Sequence, residues 1–147
     1  MNISIRRLKE SDADLAQISD QLNAADSEVT HKSFSVQSLQ HFLADPDNFY
    51  MIAVIGENLA GMVHGYVMLH PAGVTNLYID EVDTVKDFRR QGVARTMMKE
   101  VFQLAKEKNA AEIWLGTEDY NEPAKALYES LQPDEVESGP IYTWKVK

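Results

Sequence analysis

The sequence predicts an α/β chain, a sheet flanked by helices, and three observations carry that expectation. Stretches with period-two apolar alternation take turns with stretches of helical period. Helix-start residues and turn residues fall between them. The composition, 44% hydrophobic and 25% charged over 147 residues, suits one folded domain, taken as residues 1–147.

Ile3, Ile5 and Leu8 around Arg6 and Arg7 read as an opening strand. Ser11 is placed as a helix N-cap, with Asp12 and Asp14 in the first turn and Leu15, Ile18 and Leu22 as the apolar stripe. Residues 24–34 are polar and are expected to form a loop. Ser35 caps a second short helix carrying Val36, Leu39 and Phe42, stopped near Asp45-Pro46. Phe49 to Ile55, the turn Gly56-Glu57-Asn58 and Leu59 to Leu69 read as a hairpin.

Leu77 to Thr84 is the next strand, and its pattern slips. Leu77 and Ile79 alternate, but Val82 is out of phase by one, as a β-bulge near Asp80 would produce. A strand end at Asp80 is the alternative. Gly92 to Lys108 reads as an amphipathic helix with Val93, Met97, Val101, Leu104 and Ala105 on one face. Ala111 to Leu115 is a strand. Asn121 caps a helix with Glu122 and Pro123 in its first turn and Ala124, Leu127, Tyr128 and Leu131 at helical spacing. Ile141 to Val146 is read as the last strand.

Charge and composition narrow the function. There is no cysteine, which removes disulfides, thiolate metal sites and thiol nucleophiles and fits a reducing cytoplasm. No apolar run follows a basic N-terminal patch, so no signal peptide is read, and the longest apolar stretch is too short to span a bilayer. A net charge of −9 argues against nucleic acid as a partner. It reads either as a solubility feature or as attraction for a cationic substrate. A homodimer is compatible with all of this. One basic cluster runs against the sign: Lys86, Arg89, Arg90, Arg95 and Lys99.

That cluster includes Arg89-Arg90-Gln91-Gly92-Val93-Ala94-Arg95, between a strand and a helix. Amides at a helix start lack intrahelical partners, and the dipole there favours anions. Gly92 and Ala94 let a phosphate approach the main chain, and the arginines add charge, so the segment reads as a pyrophosphate cradle. The plainer alternative is a basic turn capping an ordinary helix. No Gly-Lys-Ser/Thr P-loop and no Gly-x-Gly-x-x-Gly is present.

Val82-Asp83-Thr84 followed by Arg89 to Arg95 resembles the acetyl-CoA motif of the GNAT superfamily of N-acetyltransferases. Asn121-Glu122-Pro123-Ala124, continued by Ala126-Leu127-Tyr128-Glu129-Ser130-Leu131, resembles its second signature. The resemblance implies a mixed, mostly antiparallel sheet of about six or seven strands, splayed between the fourth and fifth and flanked by about four helices. It also implies acetyl-CoA as cosubstrate. The amides of Arg90, Gln91, Gly92, Val93, Ala94 and Arg95 would hold the pyrophosphate, with Arg89 beside them. The backbone of Val82, Asp83 and Thr84 would pair with the pantetheine arm. Asn121 would contact the coenzyme, and Tyr128 would protonate the departing thiolate. Two departures stand out: Leu131-Gln132-Pro133 replaces Leu-Gly-Phe, and Gly116 stands where some members carry a Glu base.

Direct transfer needs a deprotonated amine, an oriented thioester and a proton donor for sulfur. Tyr128 is the acid, core packing being its other reading. Glu81 is the first choice of base, ahead of Asp83, Glu118 and Asp119, and a water chain could also serve. No metal is expected. Within the superfamily the chain is similar to aminoglycoside 3-N-acetyltransferases at Tyr78-Ile79, Glu81, Arg89 to Ala94, Asp119-Tyr120 and the segment around Tyr128. That likeness implies a small polycationic amine acceptor, with Glu118 and Asp119 as its contacts. A protein-amine or metabolite acetyltransferase and a non-catalytic acetyl-CoA-binding or toxin-neutralising module are the other readings.

Overall fold

The computed structural model describes residues 2–25 and 33–146. Most of the loop expected over residues 24–34 therefore lies outside the described residues. Five strands form one sheet in chain order: β1 (Ile3–Arg7), β2 (Asn48–Ile55), β3 (Asn58–Leu69), β4 (Thr75–Thr84) and β5 (Glu112–Trp114). The first four are antiparallel to their neighbours, and β4 with β5 is parallel. The helices are α1 (Leu15–Ala24), α2 (Val36–Leu43), α3 (Val93–Glu107) and α4 (Glu122–Ser130), with a single 3-10 turn at Lys86–Phe88. Two compact units result, Met1–Leu115 with the whole sheet and α1 to α3, and Gly116–Lys147 with α4.

The mixed, mostly antiparallel sheet and the helices follow the expectation. The strand number does not: among the described residues there are five rather than six or seven. Ile141 to Val146 is not a strand, and its alternation misled because alternation predicts a strand only where one face is buried. Here Ile141 and Val146 are 91% and 97% exposed. Pro140 and Gly139 just upstream also disfavour a regular ladder.

Helix α1 starts later than Ser11 predicts. Asp14 occupies the cap position but gives its side chain no capping role. Its carboxylate accepts two hydrogen bonds from the Arg6 guanidinium, at 2.6 and 2.7 Å. Asp12 accepts from the Lys9 amide at 2.8 Å. A bidentate charged pair outcompetes a local cap, so the acids bind the strand instead of the helix start. Helix α2 does start as read, with Ser35 and Ser38 forming a reciprocal capping box.

Strand alternation then sorts the core onto two faces of the sheet. Tyr50, Ile52 and Met62 join Leu15, Ile18, Leu22 and Leu39 under α1 and α2. Each of those leucines contributes about 1.5–3 kcal/mol by leaving water. Met51, Ala53, Val63, Leu77 and Ile79 are buried too, and by alternation they lie on the opposite face.

The bulge expected near Asp80 is present. His64 opposes Glu81 and Gly65 opposes Ile79, which leaves Asp80 as the extra residue on β4. The slip keeps Ile79 and Val82 on one face despite their odd spacing. It also turns Asp80 and Glu81, neighbours in sequence, to the same opposite face. Gly65 is required beside it, because a Cβ there would run into the Tyr78 carbonyl and come within 2.9 Å of the Phe49 ring. The ladder between β4 and β5 stops at Tyr78 opposite Trp114, the divergence the resemblance implies.

Candidate active site

The C-terminal half of β4 carries Glu81, Val82, Asp83 and Thr84, all partly buried. The chain then makes the 3-10 turn and reaches the cradle. Arg89 donates from Nε to the Thr84 carbonyl at 3.2 Å, which ties the loop to the end of β4. Gln91 donates to the Asp87 carbonyl at 3.4 Å. Arg90 and Gly92 both take left-handed backbone, with φ of 63° and 81°. Left-handed residues on both sides of Gln91 curl the main chain as in an anion-binding nest. For Arg90 that conformation costs about 1–2 kcal/mol, a strain a functional loop can hold.

Helix α3 follows directly. Its first backbone hydrogen bond runs from the Thr96 amide to the Gly92 carbonyl at 3.0 Å, so the Val93 and Ala94 amides precede any intrahelical acceptor. A Cβ added at Gly92 would meet nothing within 4 Å. The space over the loop is open. Arg90 and Arg95 are exposed beside it.

On the α1 and α2 face, the bulge carboxylates meet a row of rings. His64 Nε2 lies 3.2 Å from Asp80 Oδ2, and the Tyr78 hydroxyl lies 3.4 Å from Asp80 Oδ1. His64 Nδ1 is buried with no hydrogen-bond partner. A buried N–H without an acceptor is costly, so the ring proton belongs on Nε2, donated to Asp80. The rings of Tyr50 and His64 stack at 5.4 Å and those of Tyr66 and Tyr78 at 6.4 Å, while Tyr78 and Trp114 meet at 4.2 Å with their planes tilted by 35°. Burial first, and then the negative charge of Asp80, holds the Tyr66 and Tyr78 phenols above their ordinary value. Burial raises Tyr50 as well, with Glu81 and Asp83 adding to it.

His64, Asp80 and Glu81 also bring ligand atoms within 4.8 Å of one another. With its Nε2 proton given to Asp80, however, the imidazole does not present a lone pair there. His64, Asp80 and the ring row were missed in the sequence. His64 and Tyr66 share one parity of β3, and Tyr78 and Asp80 share one of β4, but nothing in either strand alone ties the two sets together.

The second unit holds the other expected residues. Asn121 caps α4, its Oδ1 accepting from the Ala124 amide at 3.2 Å. Tyr128 sits two turns along α4, half-buried, and burial raises its hydroxyl above the ordinary value, so it stays protonated at neutral pH. Glu118 and Asp119 are exposed.

Comparison with known proteins agrees with this geometry. The model of the acetyltransferase (GNAT) family matches residues 15–132. A thialysine N-epsilon-acetyltransferase of Caenorhabditis elegans is 34% identical over 80 residues, which cover 54% of this chain and 50% of that protein. The chain thus spans about half the length of that relative. A Bos taurus protein of the same name is 24% identical over 132 residues, covering 87% of this chain and 75% of that one. Among solved structures, the aminoglycoside acetyltransferase meta-AAC0020 from an uncultured soil metagenomic sample, in complex with sisomicin, superposes with a TM-score of 0.86 at 21% identity, covering 99% of this chain and 97% of that one. The family match spans both units, from α1 through the cradle to the end of α4, and on it the chain belongs to the acetyltransferase (GNAT) family, which implies acetyl-CoA as cosubstrate.

Proposed function

We propose that residues 1–147 act as one N-acetyltransferase domain that moves the acetyl group of acetyl-CoA directly to a primary amine of a small polycationic acceptor. The observation that carries this reading is the β4 bulge. It puts two carboxylates on one face of the strand that runs on into the cradle. One strand can therefore present both an amine-attracting face and the lead-in to a phosphate site.

In this reading the amides of Arg90 to Arg95 hold the pyrophosphate, with Arg89 bracing the loop. The main chain of Val82, Asp83 and Thr84 pairs with the pantetheine arm, and Asn121 contacts the coenzyme. Glu81, directly or through water, takes the proton from the incoming ammonium. The freed nitrogen attacks the thioester carbon, a C–N bond forms, the C–S bond breaks, and the nitrogen loses a second proton to solvent as it becomes an amide. Tyr128 gives its proton to the departing sulfur. Glu118 and Asp119 draw the cationic acceptor in. No metal takes part. A chain without cysteine suits the cytoplasm, where acetyl-CoA is available, whether it acts alone or as a homodimer.

The acceptor class is supported by the net charge of −9 and by the structural likeness to an aminoglycoside acetyltransferase. The two relatives named for thialysine favour a second acceptor, an amino acid with a side-chain amine. Coenzyme release measured with sisomicin, spermidine, thialysine and an acetylated control amine tests the reading. Steady turnover with at least one polycation supports it, and stoichiometric binding without turnover on any amine refutes the enzyme.

A further inference from the structure

The ring row has no part in the chemistry proposed above, and Asp80 enters it only as negative charge on the amine-attracting face. Asp80 is exposed on a bulge, yet it is held from two strands, by His64 of β3 and Tyr78 of β4. A surface carboxylate ordinarily moves freely, and fixing one with two donors costs side-chain entropy that only a defined geometry repays. From Asp80 the Tyr66, Tyr78 and Trp114 rings run across three adjacent strands, and the last is 50% exposed. Large aromatic surface left open beside a fixed negative charge suits a ligand with both apolar C–H surface and positive charge.

We propose that Asp80, clamped by His64 and Tyr78 beside the Tyr66–Tyr78–Trp114 row, anchors an ammonium of a ring-bearing acceptor, an aminosugar rather than a linear polyamine. This rests on the acetyltransferase reading and adds to it the residues that choose the acceptor. The ring row is rigid, being set by strand pairing. A rigid sugar ring lays its C–H surface on such a row with little entropy to lose, while a linear polyamine must freeze several torsions to do so. The fixed carboxylate then supplies a charge-assisted hydrogen bond to an amino group on that ring. His64 is a positioning residue here: it acts on the ligand only through Asp80. Glu81 stays available for the proton.

Trp114 supplies a reporter. The chain has two tryptophans, so Trp144→Phe leaves Trp114 as the one fluorophore of that type. Sisomicin titrated into that variant should shift or quench its emission saturably, and spermidine at equal concentration should do so weakly. Asp80→Asn, placed in the same background, should weaken sisomicin binding about tenfold, the size expected for losing one charged hydrogen bond. His64→Gln, which keeps a donor toward Asp80, should weaken it less than His64→Ala. Unchanged sisomicin affinity in Asp80→Asn, no response from Trp114, or spermidine binding more tightly than sisomicin would each overturn the proposal. Calorimetry with acetyl-CoA and a melting curve on every variant keep the outcomes separable. Intact coenzyme binding with no Trp114 response refutes this acceptor site alone, while lost coenzyme binding by the parent protein refutes the acetyltransferase reading beneath it.

Discussion

At the scale of single residues, Gly92 and Tyr128 bear most of the proposed chemistry. Gly92→Glu puts a negative side chain into the open space over the cradle and forces a non-glycine into φ of 81°. It should abolish acetyl-CoA binding by calorimetry and cost about 1–2 kcal/mol of stability, seen in the melting curve. Gly92→Ala carries the same backbone strain without the charge, and should therefore retain more of the binding. Tyr128→Phe keeps the ring and loses the proton. A fall in kcat of about 10²-fold with coenzyme affinity unchanged is expected. Near-normal turnover would make Tyr128 a packing residue. The helix start at Gly92 was legible in the sequence, because the apolar stripe of helical period begins at Val93 directly after it. His64 and Asp80 were not, because their meaning comes from cross-strand pairing, and pairing depends on a register that one strand alone does not reveal.

Among elements, the start of α1 shows how a strand can overrule a helix. Local rules place the cap at Ser11, but Arg6 on β1 takes the Asp14 carboxylate, and the helix begins at Leu15. The Arg6 guanidinium holds the Asp14 carboxyl below the ordinary carboxylate value. A depressed folded-state pKa contributes stability above the unfolded value, near 3.8, and that contribution is lost as pH falls through the folded value. Arg6→Met should therefore cost most at neutral pH and little in strong acid. With both side chains about 40% exposed, solvent screening keeps the neutral-pH cost to about 1 kcal/mol or less, measurable by urea denaturation at two pH values. The bulge in β4 is the opposite case. It was readable from three apolar residues, Leu77, Ile79 and Val82, because a buried face tolerates no error of phase.

The whole molecule carries its charge as a field, and the proposed acceptor should feel it. KM for a polycation should rise with salt, since exposed charges are screened over about 8–10 Å at moderate ionic strength. Glu118→Gln with Asp119→Asn should raise KM for a polycation more than for a singly charged amine. Steady-state kinetics at two ionic strengths checks both, and indifference to salt and substitution would leave the acidity as a solubility feature. Composition showed the charge at once but not its use. The sequence also overstated the sheet, because Ile141 to Val146 has strand chemistry without a buried face to reward it. Within the sheet, the ladder between β4 and β5 stops at Tyr78, and the rest of β4 has no strand beside it on that edge among the described residues. A sheet edge is a template for foreign strands, including those of a second copy. On the proposed reading the cosubstrate arm is the neighbour that β4 awaits. Acetyl-CoA would then cover an open stretch of β4 as well as donate its acetyl group, and saturating coenzyme should slow self-association of the protein, measured by light scattering.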